Sequence, residues 1–246
     1  MSQTVETEPP VVAAPVATKA PLARTFPVVE REQHDSLFDR FAWLYVFFRE
    51  NIFRDDTARI VQTLWRNGTP RAGTRLIELG CGPGFYSCGL ARRFPLISIL
   101  GVDRSEQQLR WAKRKARDLR LQNCRFASAN VLELSHSDES FDVVIAARLF
   151  TVLPEQERAI AEMFRILRPG GRCVIAEPRF AFWASLPLLA MWFVAGLTRM
   201  NNGFCEPRKA TVLSRAKFKA LFESQPWREV TTWQDGRYQY ALCEKP

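Results

Sequence analysis

From Arg75 onward the chain alternates short apolar runs with runs of helical period, and this alternation restricts its architecture more than any other feature. Strands are expected at 75–79, 97–102, 124–128, 141–146 and 172–176, and helices at 85–94, 106–119 and 155–167, the last stopped by Pro169-Gly170-Gly171. Strands that are apolar throughout and separated by helices belong in a parallel sheet covered on both faces. After a long apolar run at 180–197, a helix at 213–222 and two strands at 229–233 and 238–243 complete the same sheet, so seven strands are expected. The expected fold is thus an α/β, doubly wound, mostly parallel seven-stranded sheet.

Residues 1–27 lack this order. Five prolines punctuate them without a hydrophobic period, so they read as a disordered leader. Glu6 and Glu8 precede the first Arg, Arg24, which matches neither a secretory signal nor an Arg-rich mitochondrial one. Residues 28–68 read as N-terminal cap helices. Phe38, Phe41, Leu44, Tyr45 and Phe48 share one face, and a second helix over 55–65 ends at Asn67-Gly68. The remainder, 69–246, reads as one domain with an insertion at 179–212. A composition of 47% hydrophobic and 25% charged residues excludes a disordered or multi-span chain. The net charge of +9 suits an anionic partner, whether phosphate, nucleic acid or membrane surface. Six scattered cysteines without a C-x-x-C pair, and two distant histidines, give no metal site and no disulfide framework, and point to a reducing, cytoplasmic setting.

In a doubly wound sheet, ligands bind beyond the carboxyl ends of the strands. The first strand ends in Glu78-Leu79-Gly80-Cys81-Gly82-Pro83-Gly84. Gly80, Gly82 and Gly84 permit a tight turn and close approach of backbone N–H groups to a ligand. The next strand leads to Asp103, whose carboxylate is placed to accept from the hydroxyls of a ribose. A dinucleotide loop would need Gly or Ala where Phe85 stands, and the bulky ring disfavours a nicotinamide-dependent oxidoreductase.

With these residues the chain resembles the class I S-adenosylmethionine-dependent methyltransferases, whose glycine loop reads much like E-L-G-C-G-P-G. The resemblance covers about 36–243 and implies S-adenosylmethionine as cofactor, with Glu78, Gly80, Cys81, Gly82, Gly84 and Asp103 around it. Phe38 to Tyr45 is similar to the family's entrance helix, which implies that Tyr45 closes over the cofactor, although Val46 replaces the usual Asp. Asn130 and Val131 occupy the adenine edge, where the family often has Asp; the Asn130 side-chain oxygen and the Val131 N–H can still meet the base. Phe141 to Ile145 and Leu167-Arg168-Pro169-Gly170-Gly171 match its fourth strand and the turn into its fifth.

Methyl transfer from a sulfonium is an in-line displacement whose leaving group is already activated, so holding the reactants in line and dry matters more than an acid/base triad. The catalytic candidates are Arg148, after the fourth strand, which could pair with an anionic acceptor group, and Glu177, at the end of the fifth. Arg148 could equally fold onto a surface carboxylate, and Glu177 onto a neighbouring backbone N–H. His136, in the polar run 135–140, reads as an exposed loop residue.

The run 180–197, FAFWASLPLLAMWFVAGL, has no charge and is followed by Arg199, Arg208, Lys209, Arg215, Lys217 and Lys219. Crossing a bilayer would separate the last two strands from their sheet. The run therefore walls a pocket, lies in a membrane interface, or forms a buried hairpin, and in the family this segment commonly carries acceptor specificity. The function expected is methyl transfer to a small apolar or lipid-like acceptor, in the cytoplasm or peripherally at a membrane, with no nucleic-acid partner. A cofactor-binding regulatory protein without turnover is the alternative from another class. The sequence leaves the acceptor, the methylated atom and the oligomeric state open.

Overall fold

The computed structural model describes residues 36–65, 68–198, 204 and 206–246. The expected leader at 1–27, and residues 28–35 of the cap segment, lie outside them. Arg199 and residues 66–67, including the expected Asn67 stop, also lie outside.

Seven strands form one sheet: β1 Arg75–Leu79, β2 Ser98–Asp103, β3 Cys124–Ser128, β4 Phe141–Ala147, β5 Leu167–Pro178, β6 Glu229–Asp235 and β7 Tyr238–Glu244. Their order is β3-β2-β1-β4-β5-β7-β6, and only the pairings of β7 with β5 and β6 are antiparallel. The chain runs outward from β1 to β3 and then returns to β4 on the other side of β1, so the crevice between the two halves opens above the carboxyl ends of β1 and β4.

The helices cover both faces because each presents an apolar stripe. Ile60, Val61 and Leu64 of α3 (Thr57–Leu64) pack with Tyr86, Leu90 and Ala91 of α4 (Phe85–Arg93) against Leu76, Ile99 and Ile145. On the opposite face, Ala159, Ile160, Met163 and Ile166 of α6 (Gln156–Ile166) meet Ile77, Val144, Ile175 and Phe218, the last from α8 (Arg215–Ala220). Each such side chain, fully withdrawn from water, stabilises the fold by about 1.5–3 kcal/mol. Between β2 and β3, α5 (Glu106–Asp118) buries Leu109, Ala112 and Ala116.

Two expectations need correction. The helix expected after Glu30 is two helices, α1 (Leu37–Arg40) and α2 (Ala42–Asn51), broken at Phe41 with φ −115° and ψ 34°. Leu37 of α1 and Phe41 at the break pack with Ala184, Leu188, Met191 and Ala195 of α7 (Ala181–Leu197). The fifth strand begins at Leu167, before the Pro169-Gly170-Gly171 turn, because Leu167 pairs with Phe141 and the register shifts before Val143. The apolar run is helical with Pro187 inside it, and no helix among the described residues is long and apolar enough to cross a membrane.

Candidate cofactor and acceptor site

The crevice is built first from the glycine loop. Gly82 has φ +51°, and a Cβ there would lie 3.3 Å from the Tyr45 ring; Gly84, at φ +73°, would place a Cβ 2.8 Å from Phe126. Both positions thus disfavour a side chain by conformation, and Gly84 by close contact as well. The Asp103 carboxylate braces the loop from β2, accepting from the Gly82 N–H at 2.8 Å and the Ser105 N–H at 2.9 Å. Burial pushes its carboxyl up against the pull of those N–H bonds.

Glu78 lies one layer deeper. It is buried and accepts from the Ser87 N–H at 2.8 Å, which ties the end of β1 to α4 below the loop; burial pushes it up to about 7. The Cys81 thiol is buried and held well above the usual thiol range, so it packs rather than reacts. Where the adenine is expected, the Asn130 Oδ1 already accepts from the Leu132 N–H at 3.2 Å, which leaves its amide group and second lone pair, while the Val131 side chain is buried.

The cap is pinned over this crevice by polar contacts. Asp39 Oδ1 accepts from Ser105 Oγ at 2.6 Å and from the Gln107 N–H at 3.1 Å, seating α1 on the start of α5. Glu206 accepts from Ser36 Oγ and the Leu37 N–H, so the segment after α7 holds the same helix. Tyr45 rests against the glycine loop, edge-on to Phe38 at 5.4 Å and to Phe53 at 6.4 Å, and burial keeps its phenol protonated.

Two side chains that the sequence reading missed also face this region. Arg49 is 5% exposed, lies 3.6 Å over the Phe85 ring, and has a buried Nη2 without a hydrogen-bond partner. Gln108 is buried, and its Oε1 is likewise without a partner. Such groups are costly unless a ligand completes them. An Arg four residues after Tyr45 on an apolar helix face was the available signal. With the glycine loop and Asp103, these atoms fit S-adenosylmethionine, which carries a carboxylate, an ammonium and a ribose.

Beside Tyr45 lies a cavity of about 340 Å³ at the carboxyl ends of β4 and β5, lined chiefly by Phe53, Arg54, Arg148, Trp183, Arg237 and Tyr238. Arg148 stands directly after β4 with φ +59°, a left-handed conformation that costs a non-glycine residue about 1–3 kcal/mol and directs its side chain into the site. Its guanidinium lies 3.8 Å from the Phe53 ring centroid and donates to Tyr238 Oη at 3.2 Å. Glu177 does not line this cavity. It is buried, accepts from the Phe150 N–H at 2.9 Å, and is pushed up to about 8 by burial. It therefore fixes the loop after β4 instead of facing an acceptor. His136 is half-buried, not exposed as expected, and packs edge-on to Phe141 at 5.2 Å, outside the cavity lining.

Residues 70–233 match the family model described as a methyltransferase domain. Among curated relatives, trans-aconitate 2-methyltransferase of Variovorax paradoxus is 31% identical over 51% of this chain and 47% of its own length. Phosphatidylethanolamine N-methyltransferase of Cereibacter sphaeroides is 35% identical over 43% of this chain and 51% of its own. The chain thus spans about half the length of these relatives. A solved structure described as a putative S-adenosyl-L-methionine-dependent methyltransferase, from Methanococcus maripaludis, has the same fold, with a TM-score of 0.61, 17% identity, and coverage of 87% of this chain and 96% of that one.

Proposed function

Since the chain belongs to the class I S-adenosylmethionine-dependent methyltransferases, we propose that it methylates a small apolar or lipid-like acceptor entering between α2, α7 and the β6–β7 turn. The observation that carries this reading is the cavity beside Tyr45, walled by Phe53 and Trp183. Helices α2 and α7 also carry exposed apolar side chains: Trp43 and Phe47 on α2, Phe182, Leu189 and Phe193 on α7. Several large apolar side chains exposed on the helices beside a cavity suit a binding or membrane-contact face, and the phosphatidylethanolamine methyltransferase among the relatives is in keeping with a lipid acceptor.

The cofactor, when bound, supplies a methyl group on a sulfonium, a good leaving group. Gly80, Gly82 and Gly84 give its binding loop close approach, Asp103 accepts from the ribose hydroxyls, Arg49 pairs with the carboxylate, and Asn130 with Val131 meets the base. Tyr45 separates cofactor from acceptor cavity and, with Phe53, keeps water out. The acceptor arrives already nucleophilic or gives its proton to Tyr238, since the other titratable groups lining the cavity are the cations Arg54, Arg148 and Arg237.

Calorimetric titration with S-adenosylmethionine tests the cofactor half. Asp103→Ala is expected to weaken binding by about 1.5–3 kcal/mol, the worth of a hydrogen bond to a charged group. Unchanged affinity would remove Asp103 from the site. Incubating the enzyme and methyl-labelled cofactor with cell extracts, followed by mass spectrometry, tests the acceptor half: label is expected in the organic-solvent fraction, and label confined to water-soluble products would refute a lipid-like acceptor.

A further inference from the structure

Three arginines line the acceptor cavity, and their surroundings differ. Arg54 is neutralised, with its Nε 2.6 Å from Asp56 Oδ1 and its Nη2 3.2 Å from Asp235 Oδ2. Arg148 and Arg237 form no ion pair among the described residues, and the carboxyl nearest in effect to Arg148, Glu177, is buried and spent on the Phe150 N–H. Arg148 uses two donors, on Tyr238 Oη at 3.2 Å and on the Ala184 carbonyl at 3.4 Å, and rests against Phe53. Arg237, from the β6–β7 turn, lies 3.6 Å from the centroid of the Trp183 ring.

Stacking on an aromatic face fixes the plane of a guanidinium while its in-plane N–H groups stay available to acceptors; Arg148 keeps three of its five after those to Tyr238 and Ala184, and such a group suits recognition of a carboxylate or phosphate. Two such groups against one cavity, one from the sheet's carboxyl edge and one from a turn, produce a positive potential inside an otherwise apolar space. Among the described residues no carboxylate lines that space, and the acids nearby, Asp56 and Asp235, are paired with Arg54. The left-handed backbone at Arg148 has a further reading here, since strain of this kind is retained where it directs a functional side chain.

We propose that Arg148 and Arg237 hold an anionic group, carboxylate or phosphate, of the methyl acceptor, with Phe53 and Trp183 packing on the apolar part next to it. This rests on the methyltransferase reading above and adds the acceptor's charge to it. Arg237 is the specificity-determining residue, being outside the cofactor crevice, and Arg148 orients the same group from the sheet.

The test is calorimetric titration of the full chain, saturated with S-adenosylhomocysteine, using octyl phosphate, octanoate, octanol and inorganic phosphate as probes. Octyl phosphate or octanoate is expected to bind saturably and at least about tenfold more tightly than octanol, as charge-assisted bonds to two guanidiniums require. Inorganic phosphate separates the sources: binding comparable to octyl phosphate identifies a small polar anion, and much weaker binding an amphiphile. Arg237→Gln and Arg148→Gln should each lower anion affinity about tenfold, with Arg148→Lys intermediate, while S-adenosylhomocysteine affinity is retained. Equal binding of octanol and octyl phosphate, no saturable binding of either anionic amphiphile, or undiminished anion affinity in Arg237→Gln overturns the proposal. Failure of S-adenosylhomocysteine to bind the wild-type chain would instead overturn the methyltransferase reading.

Discussion

Glu177 and Arg148 stand at adjacent strand ends and are both catalytic candidates in the sequence, yet their environments assign them different work. The Glu177 carboxyl is enclosed by the loop after β4 and pushed up to about 8, and Glu78 by the same cause to about 7. An unfolded glutamate titrates near about 4.3, so between about pH 4.3 and the folded values unfolding releases protons. The sign follows: the stability of the protonated carboxyls is fully present below the unfolded pKa and is lost as pH rises through the folded one. The melting temperature of the wild type is expected to fall from about pH 5 to about pH 8, and Glu177→Gln, which keeps an acceptor for the Phe150 N–H, should flatten that slope. Identical slopes by scanning calorimetry would mean that Glu177 is ionised throughout. Asp103 and the glycines were legible as residues because their positions follow from the strand ends. Arg49 and Gln108 were not, since an unpartnered atom is a property of packing and leaves no period in the sequence.

The helix α7 has two apolar faces with different fates. Ala184, Leu188, Met191 and Ala195 face α1 and the core, whereas Phe182, Leu189 and Phe193, spaced by seven and four residues, share the outer face, with Phe193 68% exposed. Substitution on the outer face removes no packing, so Phe193→Glu is expected to stay within about 0.5 kcal/mol of wild-type stability. If that face rests on lipid, the same variant should lose flotation with anionic liposomes. Leu188→Ala, on the inner face, should cost about 2–5 kcal/mol by denaturant titration. Wild-type flotation of Phe193→Glu would detach the outer face from any membrane role. Periodicity could not separate these faces, because a run without polar residues has no stripe to read; only the neighbours decide which side is covered.

Across the whole molecule the charge of +9 gives an attraction that acts at the range of a Debye length, about 10 Å at 0.1 M salt and about 3 Å at 1 M. Binding to vesicles of anionic lipid is therefore expected at 0.1 M salt and should largely disappear by about 0.5 M, while uncharged vesicles bind weakly at either. Salt-independent binding would indicate that apolar contact alone is responsible. The sequence by itself determined the sheet, its covered faces, the glycine loop and Asp103, because alternating periods and glycine spacing are local signals that survive in one dimension. It also contained the apolar run and the basic residues after it, but left pocket wall, interface and buried hairpin as equals. The tertiary structure decided that Phe53, Arg148, Trp183 and Arg237 meet around one cavity while Glu177 turns away from it. Those residues come from four separate segments, and the direction of each side chain is set by what packs behind it, which is information the linear order of residues does not hold.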